Sequence, residues 1–184
     1  DDNYKLNAKK VINEYLEAKE LGIRTKINII GPITFLSLSK RVDDGNDTLE
    51  LFDKLLPVYE ALISEISLLD KEVFVQFEEP IFVKDVSKRM LYLLKTAYDR
   101  LPAVSNNVKF IVATYFGHSN EATEVLLTTP VWGIGLDFVH GCENLYGIEG
   151  FNGKKLIAGI VDGRNVWKND FQKSIDLLKK IEEK

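Results

Sequence analysis

The chain has 184 residues, of which 45% are hydrophobic and 28% are charged, and its formal net charge is -4. This composition is typical of a globular protein with one sizeable core, and it excludes disordered and fibrous classes. The 24 Lys and Arg residues are spread along the chain and outnumbered by 28 acids, which argues against a nucleic-acid-binding protein.

The first predicted elements are a helix, a strand and a second helix. Apolar residues at helical spacing, between a cap at Asn7 and a stop at Gly22, predict a helix whose apolar face carries Val11, Ile12, Tyr15, Leu16 and Leu21. The run KINII, residues 26–30, predicts a strand that ends in the turn 31–35. The segment FLSLSKRV then predicts a helix, followed by a loop over DDGND, residues 43–47.

The rest of the chain repeats this alternation. Asp47 and Glu50 form a D-x-x-E start signal for a long helix with a kink at Pro57, whose apolar positions are Leu51, Leu55, Val58, Leu62, Ile66 and Leu69. After it come, in order, a strand over 73–77, a helix over 86–100, a strand over 109–116, a helix over 119–127, strands over 131–139 and 155–161, and a helix from Asn169. We count about five parallel βα units.

Strands that are apolar on both faces and alternate with helices predict an α/β fold with a parallel sheet, either doubly wound or a (β/α) barrel. No glycine-rich nucleotide motif follows any strand, which disfavours a Rossmann-type site. Polar residues instead follow every strand, as at the functional face of a barrel, so we favour a partial (β/α)8 TIM-type barrel. The candidate cluster at its mouth is Thr34, Glu78, Glu79, Tyr115, Asp137, Asp162, Arg164 and Asn165.

Six motifs along the chain carry a resemblance to a known family. They are IIGPITFLSLSK, LLPVYEALISEI, VQFEEP, ATYFG, GIGLDFVHG and GIVDGRNVWKND. In this order and at these spacings they resemble the amino-terminal barrel of cobalamin-independent methionine synthase. The match runs over nearly the whole chain.

The resemblance implies a fold and a function. Enzymes of this family transfer a methyl group from 5-methyltetrahydrofolate polyglutamate to homocysteine, with two facing barrels and a zinc ion in the carboxy-terminal barrel only. Residues 1–184 would then be the carboxy-terminal portion of the amino-terminal barrel, with no second domain and no catalytic residues. Its partners would be the missing amino-terminal part and the catalytic barrel. The alternative is a free-standing barrel enzyme or binding module of the uroporphyrinogen decarboxylase-like superfamily.

An unclosed barrel leaves unpaired strand edges, which predicts self-association. The single cysteine, Cys142, rules out an internal disulfide framework. No apolar run approaches the roughly 20 residues that cross a bilayer, and the first residues lack a signal-peptide pattern, so we expect a cytoplasmic protein without a membrane partner.

No metal site is predicted in this chain. By resemblance, the catalytic barrel has a His-x-Cys pair on the strand after its Asp-Glu strand end, whereas this chain has ATYFGHS there, with His118 and no cysteine. The run His140-Gly141-Cys142 has the His-x-Cys spacing, but it lies one strand later and a zinc site needs further ligands. We interpret Cys142 as a small, semi-buried hydrophobic residue.

The sequence leaves open the directions of Glu78 and Glu79 and the partner of Arg164. Glu78 and Glu79 are adjacent on a strand, so at most one of them points into the mouth. Arg164 has two interpretations. The favoured one is a buried ion pair with a strand-end acid such as Asp137 or Glu78, because buried charges persist as pairs. The other is that Arg164 shapes the cleft and binds a carboxylate of the folate tail.

Overall fold

The computed structural model describes residues 4–40, 47–151 and 153–184. In chain order its helices and strands are α1 Lys9–Glu20, β1 Lys26–Ile30, α2 Pro32–Leu38, α3 Phe52–Ile66, β2 Val73–Glu78, α4 Lys88–Arg100, β3 Val108–Ala113, α5 Asn120–Leu127, β4 Gly133–Asp137, β5 Lys155–Gly159 and α6 Phe171–Glu182. Short 3₁₀ turns cover Thr48–Leu51, Pro80–Val83, Leu101–Val104 and Cys142–Tyr146.

The five strands form one parallel sheet in the order β1-β2-β3-β4-β5. Each strand pairs with the next one in the chain, as right-handed βα crossovers bring about in barrels and parallel sheets. The predicted α/β fold with about five parallel βα units is confirmed. Strands β1 and β5 are the edges of this sheet and lie farthest apart in it.

The core lies between one face of the sheet and the helices. Along β2, Val73, Val75 and Phe77 are buried while the residues between them are half-buried. The ring of Phe77 contacts the ring of Tyr59 on α3 and that of Tyr98 on α4, with centroids 6.1 and 5.7 Å apart. Such aromatic pairs add directional contacts to the apolar burial. This packing fixes the sheet against α3 and α4.

The other face of the sheet is more polar than the predicted apolar surface. The strand register places Asn28 of β1 beside Gln76 of β2, and Gln76 beside Ile111 of β3. Towards β4 the same face carries small residues, with Ala113 next to Gly135. This face leads to the mouth formed by the carboxyl ends of the strands.

Several element boundaries differ from the sequence prediction. Helix α1 is capped at Ala8, although Asn7 Oδ1 still accepts a hydrogen bond of 3.4 Å from Lys9 N–H. Its predicted apolar face is partly solvent-exposed, since Leu21 is 72% exposed and Tyr15 is the buried residue of the helix. Asp47 caps the 3₁₀ turn before α3, as its start signal indicates.

Helix α2 begins at Pro32, three residues before the predicted segment, because Pro suits the first turn of a helix. The end predicted for that segment and most of the DDGND loop lie outside the described residues. Helix α3 ends at Ile66 and does not reach Leu69. Strands β3, β4 and β5 all end earlier than predicted, because their last residues turn out of the sheet into the mouth loops. Within the described ranges, none of the helices has the length and apolarity that a membrane crossing requires.

Candidate functional site

A cavity of about 460 Å³ lies at the carboxyl ends of β3, β4 and β5. Its floor is apolar and includes Ala113, Gly135 and Ile157. A Cβ atom at Gly135 would lie 3.1 Å from the Cβ of Ala113, so a larger residue there would force these strands to adjust. The rim is polar and contains four of the predicted site residues, Tyr115, Asp137, Asp162 and Arg164. A mostly apolar pocket with a few polar groups is typical of small-molecule sites.

Asp137, the last residue of β4, organises the loops at the rim. Its Oδ2 accepts a hydrogen bond of 3.0 Å from the N–H of Phe116, and its Oδ1 accepts from the N–H groups of Val139 and His140 at 2.8 and 3.0 Å. Phe116 has φ 77°, the left-handed region that a bulky side chain seldom adopts. The carboxylate of Asp137 therefore holds a strained residue of the neighbouring loop in place.

Asp162 organises the turn after β5 in the same way. Its Oδ1 accepts from the N–H of Arg164 at 2.9 Å and lies 3.3 Å from Nε2 of His140, while its Oδ2 accepts from Nδ2 of Asn165 at 2.6 Å. The hydrogen bond from the Arg164 N–H, followed by those from His140 and Asn165, holds the pKa of Asp162 below its usual value. Asp162 is therefore a carboxylate that joins its own turn to the loop after β4.

The side chain of Arg164 does not form the ion pair favoured from the sequence. Its guanidinium carbon lies 4.9 Å from the centroid of the Phe116 ring, a cation–π contact across the rim. No ion pair joins Arg164 to an acid within the described part of the chain. Asp137 accepts from three backbone N–H groups, Glu78 accepts from Gln76, and Arg164 is exposed. The predicted buried ion pair of Arg164 with Asp137 or Glu78 is therefore wrong.

Glu78 and Tyr115 form a second polar group on the same side of the sheet. Glu78 Oε1 accepts a hydrogen bond of 2.6 Å from Nε2 of Gln76, whose own Oε1 accepts from Nζ of Lys26. Partial burial, and then the hydrogen-bonded charge of Glu78, raise the pKa of Tyr115 above its usual value. Glu78, Tyr115 and Thr34 line a smaller cavity of about 360 Å³ next to β1.

Glu79 points away from the mouth and is fully buried. Its carboxylate contacts Thr34 and the start of α2 on one side and the hydroxyl of Tyr98 on the other. Glu78 and Glu79 thus lie on opposite faces, in agreement with strand alternation. The structure divides the eight predicted residues into a rim group around Asp137 and Asp162, a Glu78–Tyr115 pair and a buried Thr34–Glu79 pair.

The potential metal ligands of the described residues form pairs and no larger group. His140 contacts Asp162, and Cys142 Sγ lies 3.5 Å from Oε2 of Glu143. Cys142 is exposed and not semi-buried as predicted. Within the three described ranges, no group of three or more His, Cys, Asp and Glu side chains is placed to hold a metal ion. This donor set does not fit a zinc site.

Three residues that the sequence prediction missed also build the site. The ring of Phe116 contacts the guanidinium of Arg164, and the hydroxyl of Tyr98 donates a hydrogen bond to Glu79. Asn144, fully buried, accepts from the N–H of Ser119 at 2.9 Å and donates to the carbonyls of Asp137 and Gly117 at 2.7 and 3.3 Å. No sequence motif marks these roles, because each depends on a loop that is folded by contacts far along the chain.

Comparison with known proteins gives consistent matches. The family model described as the N-terminal domain of cobalamin-independent synthase matches residues 1–184. A 5-methyltetrahydropteroyltriglutamate–homocysteine methyltransferase from Desulforamulus reducens is 57% identical over 98% of this chain and 24% of its own length. Its counterpart from Catharanthus roseus is 40% identical over the same shares. The chain therefore spans about a quarter of the length of these curated relatives.

A solved structure shares the fold. The B12-independent methionine synthase from Shewanella sp. W3-18-1, in complex with selenomethionine, superposes with a TM-score of 0.76. The match covers 98% of this chain and 57% of that one, at 17% sequence identity. At that identity the likeness supports the architecture and not the roles of single residues.

Proposed function

The chain belongs to the N-terminal domain family of the cobalamin-independent methionine synthases, and from this membership we propose that it is a segment of a methyltransferase. The proposed reaction transfers the methyl group of 5-methyltetrahydropteroyltriglutamate to homocysteine, the two substrates in the names of its relatives. The family match favours this proposal over a free-standing barrel of the uroporphyrinogen decarboxylase-like superfamily. The proposed place of the reaction is the cytoplasm.

Within the whole protein, we propose that residues 1–184 form the carboxy-terminal portion of the amino-terminal barrel. The zinc ion and the homocysteine site would lie in the carboxy-terminal barrel. The segment ATYFGHS supports that division, because it has no cysteine where, by resemblance, the catalytic barrel has its His-x-Cys pair. The proposed role of this segment is to support the cleft between the barrels and to bind the tail of the methyl donor.

The proposed tail-binding role rests on the contacts of the Arg164 side chain. Its guanidinium lies over the Phe116 ring at the rim of the 460 Å³ cavity and pairs with no carboxylate of the described chain. A planar guanidinium binds carboxylates through two parallel hydrogen bonds. The triglutamate tail of the proposed substrate offers several carboxylates. We propose that Arg164, oriented by Phe116 and by the Asp162 turn, binds one of them.

The test is the substitution Arg164→Ala in the full-length protein, assayed with the triglutamate and monoglutamate substrates. A charge-assisted hydrogen bond contributes about 1.5 to 3 kcal/mol, and we expect the lower end at this exposed position. The KM for the triglutamate substrate should then rise about tenfold, since about 1.4 kcal/mol is a factor of ten. The monoglutamate KM and the melting temperature should change little.

Two variants serve as controls. Arg164→Lys keeps the charge but loses the planar fork, so it should recover part of the effect. Arg89→Ala removes an arginine that pairs with Asp47 at 2.8 Å and does not line the cavity, so it should leave both KM values unchanged. The proposal fails if Arg164→Ala lowers stability by about 3 to 5 kcal/mol, the range for a broken buried ion pair, while the preference for the triglutamate substrate persists.

A further inference from the structure

Glu79 is a fully buried carboxylate whose two oxygens are surrounded by hydrogen-bond donors. Its Oε1 accepts from the N–H of Ile33 at 3.2 Å and from the hydroxyl of Tyr98 at 3.0 Å. Its Oε2 accepts from the N–H and the Oγ1 of Thr34 at 2.8 and 2.6 Å. Glu79, at the end of β2, therefore binds the first turn of α2 and the middle of α4 at once.

No positively charged side chain of the described residues balances this carboxylate. The titratable groups that face it are Tyr98 from α4 and Tyr59 from α3, while its neighbour Glu78 points to the opposite face of the sheet. Helix α2 and the 3₁₀ turn Pro80–Val83, which also pack against it, contain no titratable side chain. Among the described residues Glu79 makes no ion pair, so the hydrogen bonds alone stabilise its charge.

Burial and hydrogen bonding act on this group in opposite directions. Burial raises the pKa of Glu79 to about 7, although the bonds from Thr34, Ile33 and Tyr98 oppose that rise. A proton on the carboxyl group turns one oxygen into a donor. The backbone N–H groups of Ile33 and Thr34 cannot accept a hydrogen bond, whereas the hydroxyl oxygens of Thr34 and Tyr98 can. One of these two hydroxyls must therefore reverse its direction when the carboxyl group is protonated.

We propose that Glu79 is a proton-operated latch that joins the amino terminus of α2 to the carboxyl end of β2, and that uptake of one proton breaks or reverses one of its four hydrogen bonds. The latch goes beyond the proposed function, because it sets the position of the first turn of α2 and does not bind substrate. That turn contributes Thr34 to the smaller cavity, which Glu78 and Tyr115 also line. The position of the first turn of α2 at the mouth therefore depends on pH.

The test follows the δ1 methyl group of Ile33 by methyl NMR in the full-length protein between pH 5 and 9. Ile33 is fully buried and its N–H contacts Glu79, so its methyl shift reports the state of the latch. We expect one titration with a midpoint near the pKa of about 7. Glu79→Gln should abolish this titration, whereas Glu78→Gln, the matched change at the adjacent carboxyl group, should keep it.

A second variant tests the latch if Glu79→Gln fails to fold. Tyr98→Phe removes one donor, and a hydrogen bond to the charged carboxylate is stronger than one to the neutral acid, so the midpoint should rise by about one pH unit. The proposal is overturned if the wild-type methyl group does not titrate. It is equally overturned if the titration persists in Glu79→Gln or is lost in Glu78→Gln, or if Tyr98→Phe leaves the midpoint in place.

Discussion

Gly31 precedes α2 at the point where Glu79 reaches the helix, and its replacement by alanine gives a sharp test of the packing. A Cβ atom at this position would lie 2.1 Å from Cδ, 2.2 Å from Oε1 and 2.4 Å from Cγ of Glu79. These distances are far inside van der Waals contact, and Glu79 is fully buried. In Gly31→Ala the carboxylate must therefore move away from α2.

The expected cost follows from the contacts that this movement breaks. Glu79 accepts four hydrogen bonds, three of them from Ile33 and Thr34. A buried charged group that loses its partners costs about 3 to 5 kcal/mol. The backbone itself gives no penalty, because Gly31 has φ -72° and ψ 153°, which alanine adopts readily. We expect Gly31→Ala to lower the free energy of unfolding by about 4 kcal/mol at pH 8.

The assay is urea unfolding, followed by circular dichroism, of Gly31→Ala with and without Glu79→Ala. Once the Glu79 side chain is removed, the methyl group added at position 31 has space, and the change should be neutral or stabilising by up to about 1 kcal/mol. Gly163→Ala is the control, because a Cβ there would contact nothing within 4 Å. The steric explanation is refuted if Gly31→Ala costs the same in both backgrounds, or no more than Gly163→Ala.

Four further outcomes are expected. Asn144→Ala should lower the free energy of unfolding by about 3 kcal/mol in urea titrations, because it removes the partner of the buried Ser119 N–H and of the half-buried Asp137 carbonyl. A substitution at an exposed site should cost less than about 0.5 kcal/mol. The pKa of Glu79 rises from 4.5 to about 7 on folding. The wild-type protein should therefore be most stable relative to Glu79→Gln below pH 4.5, and it should lose roughly 3 kcal/mol of that difference as the pH rises through 7. Unfolding curves recorded over a series of pH values measure this loss. The isolated 184-residue chain should show no methyl transfer and hold no stoichiometric zinc, a prediction that one tightly bound zinc per chain in metal analysis would contradict. It should also self-associate through the edges β1 and β5, so a strictly monomeric sedimentation profile at high concentration would count against unpaired edges.

The order and type of the elements could be predicted from the sequence, because each depends on a local period. The alternation of buried residues along β2 is visible in VFVQF, and it also places Glu78 and Glu79 on opposite faces. The boundaries were less predictable. Leu16 and Leu21 fit the period of a buried helix face, yet both are exposed at α1, since periodicity shows which residues share a face but not what covers that face.

Four of the eight predicted residues line the cavity at the mouth, whereas Glu79 points away from it, and the partners of these residues could not be predicted. Polar groups at strand ends indicate a functional face whatever they contact. The ion pair of Arg164 with Asp137 or Glu78 was predicted wrongly because Asp137 accepts from three backbone N–H groups of the loops and Glu78 accepts from Gln76. One of those N–H groups belongs to Phe116, whose positive φ no sequence pattern indicates.

Asp137 and Asp162 at the rim differ from Arg164 because they accept hydrogen bonds from the backbone of the mouth loops. A parallel strand that ends at the mouth leaves the N–H groups of the next loop without sheet partners, and a carboxylate satisfies several of them at once. Asp137 and Asp162 do so for the loops after β3, β4 and β5. The acids are therefore used in folding the rim, whereas Arg164 contacts the Phe116 ring and forms no ion pair within the described residues, as the proposed binding of a substrate carboxylate requires.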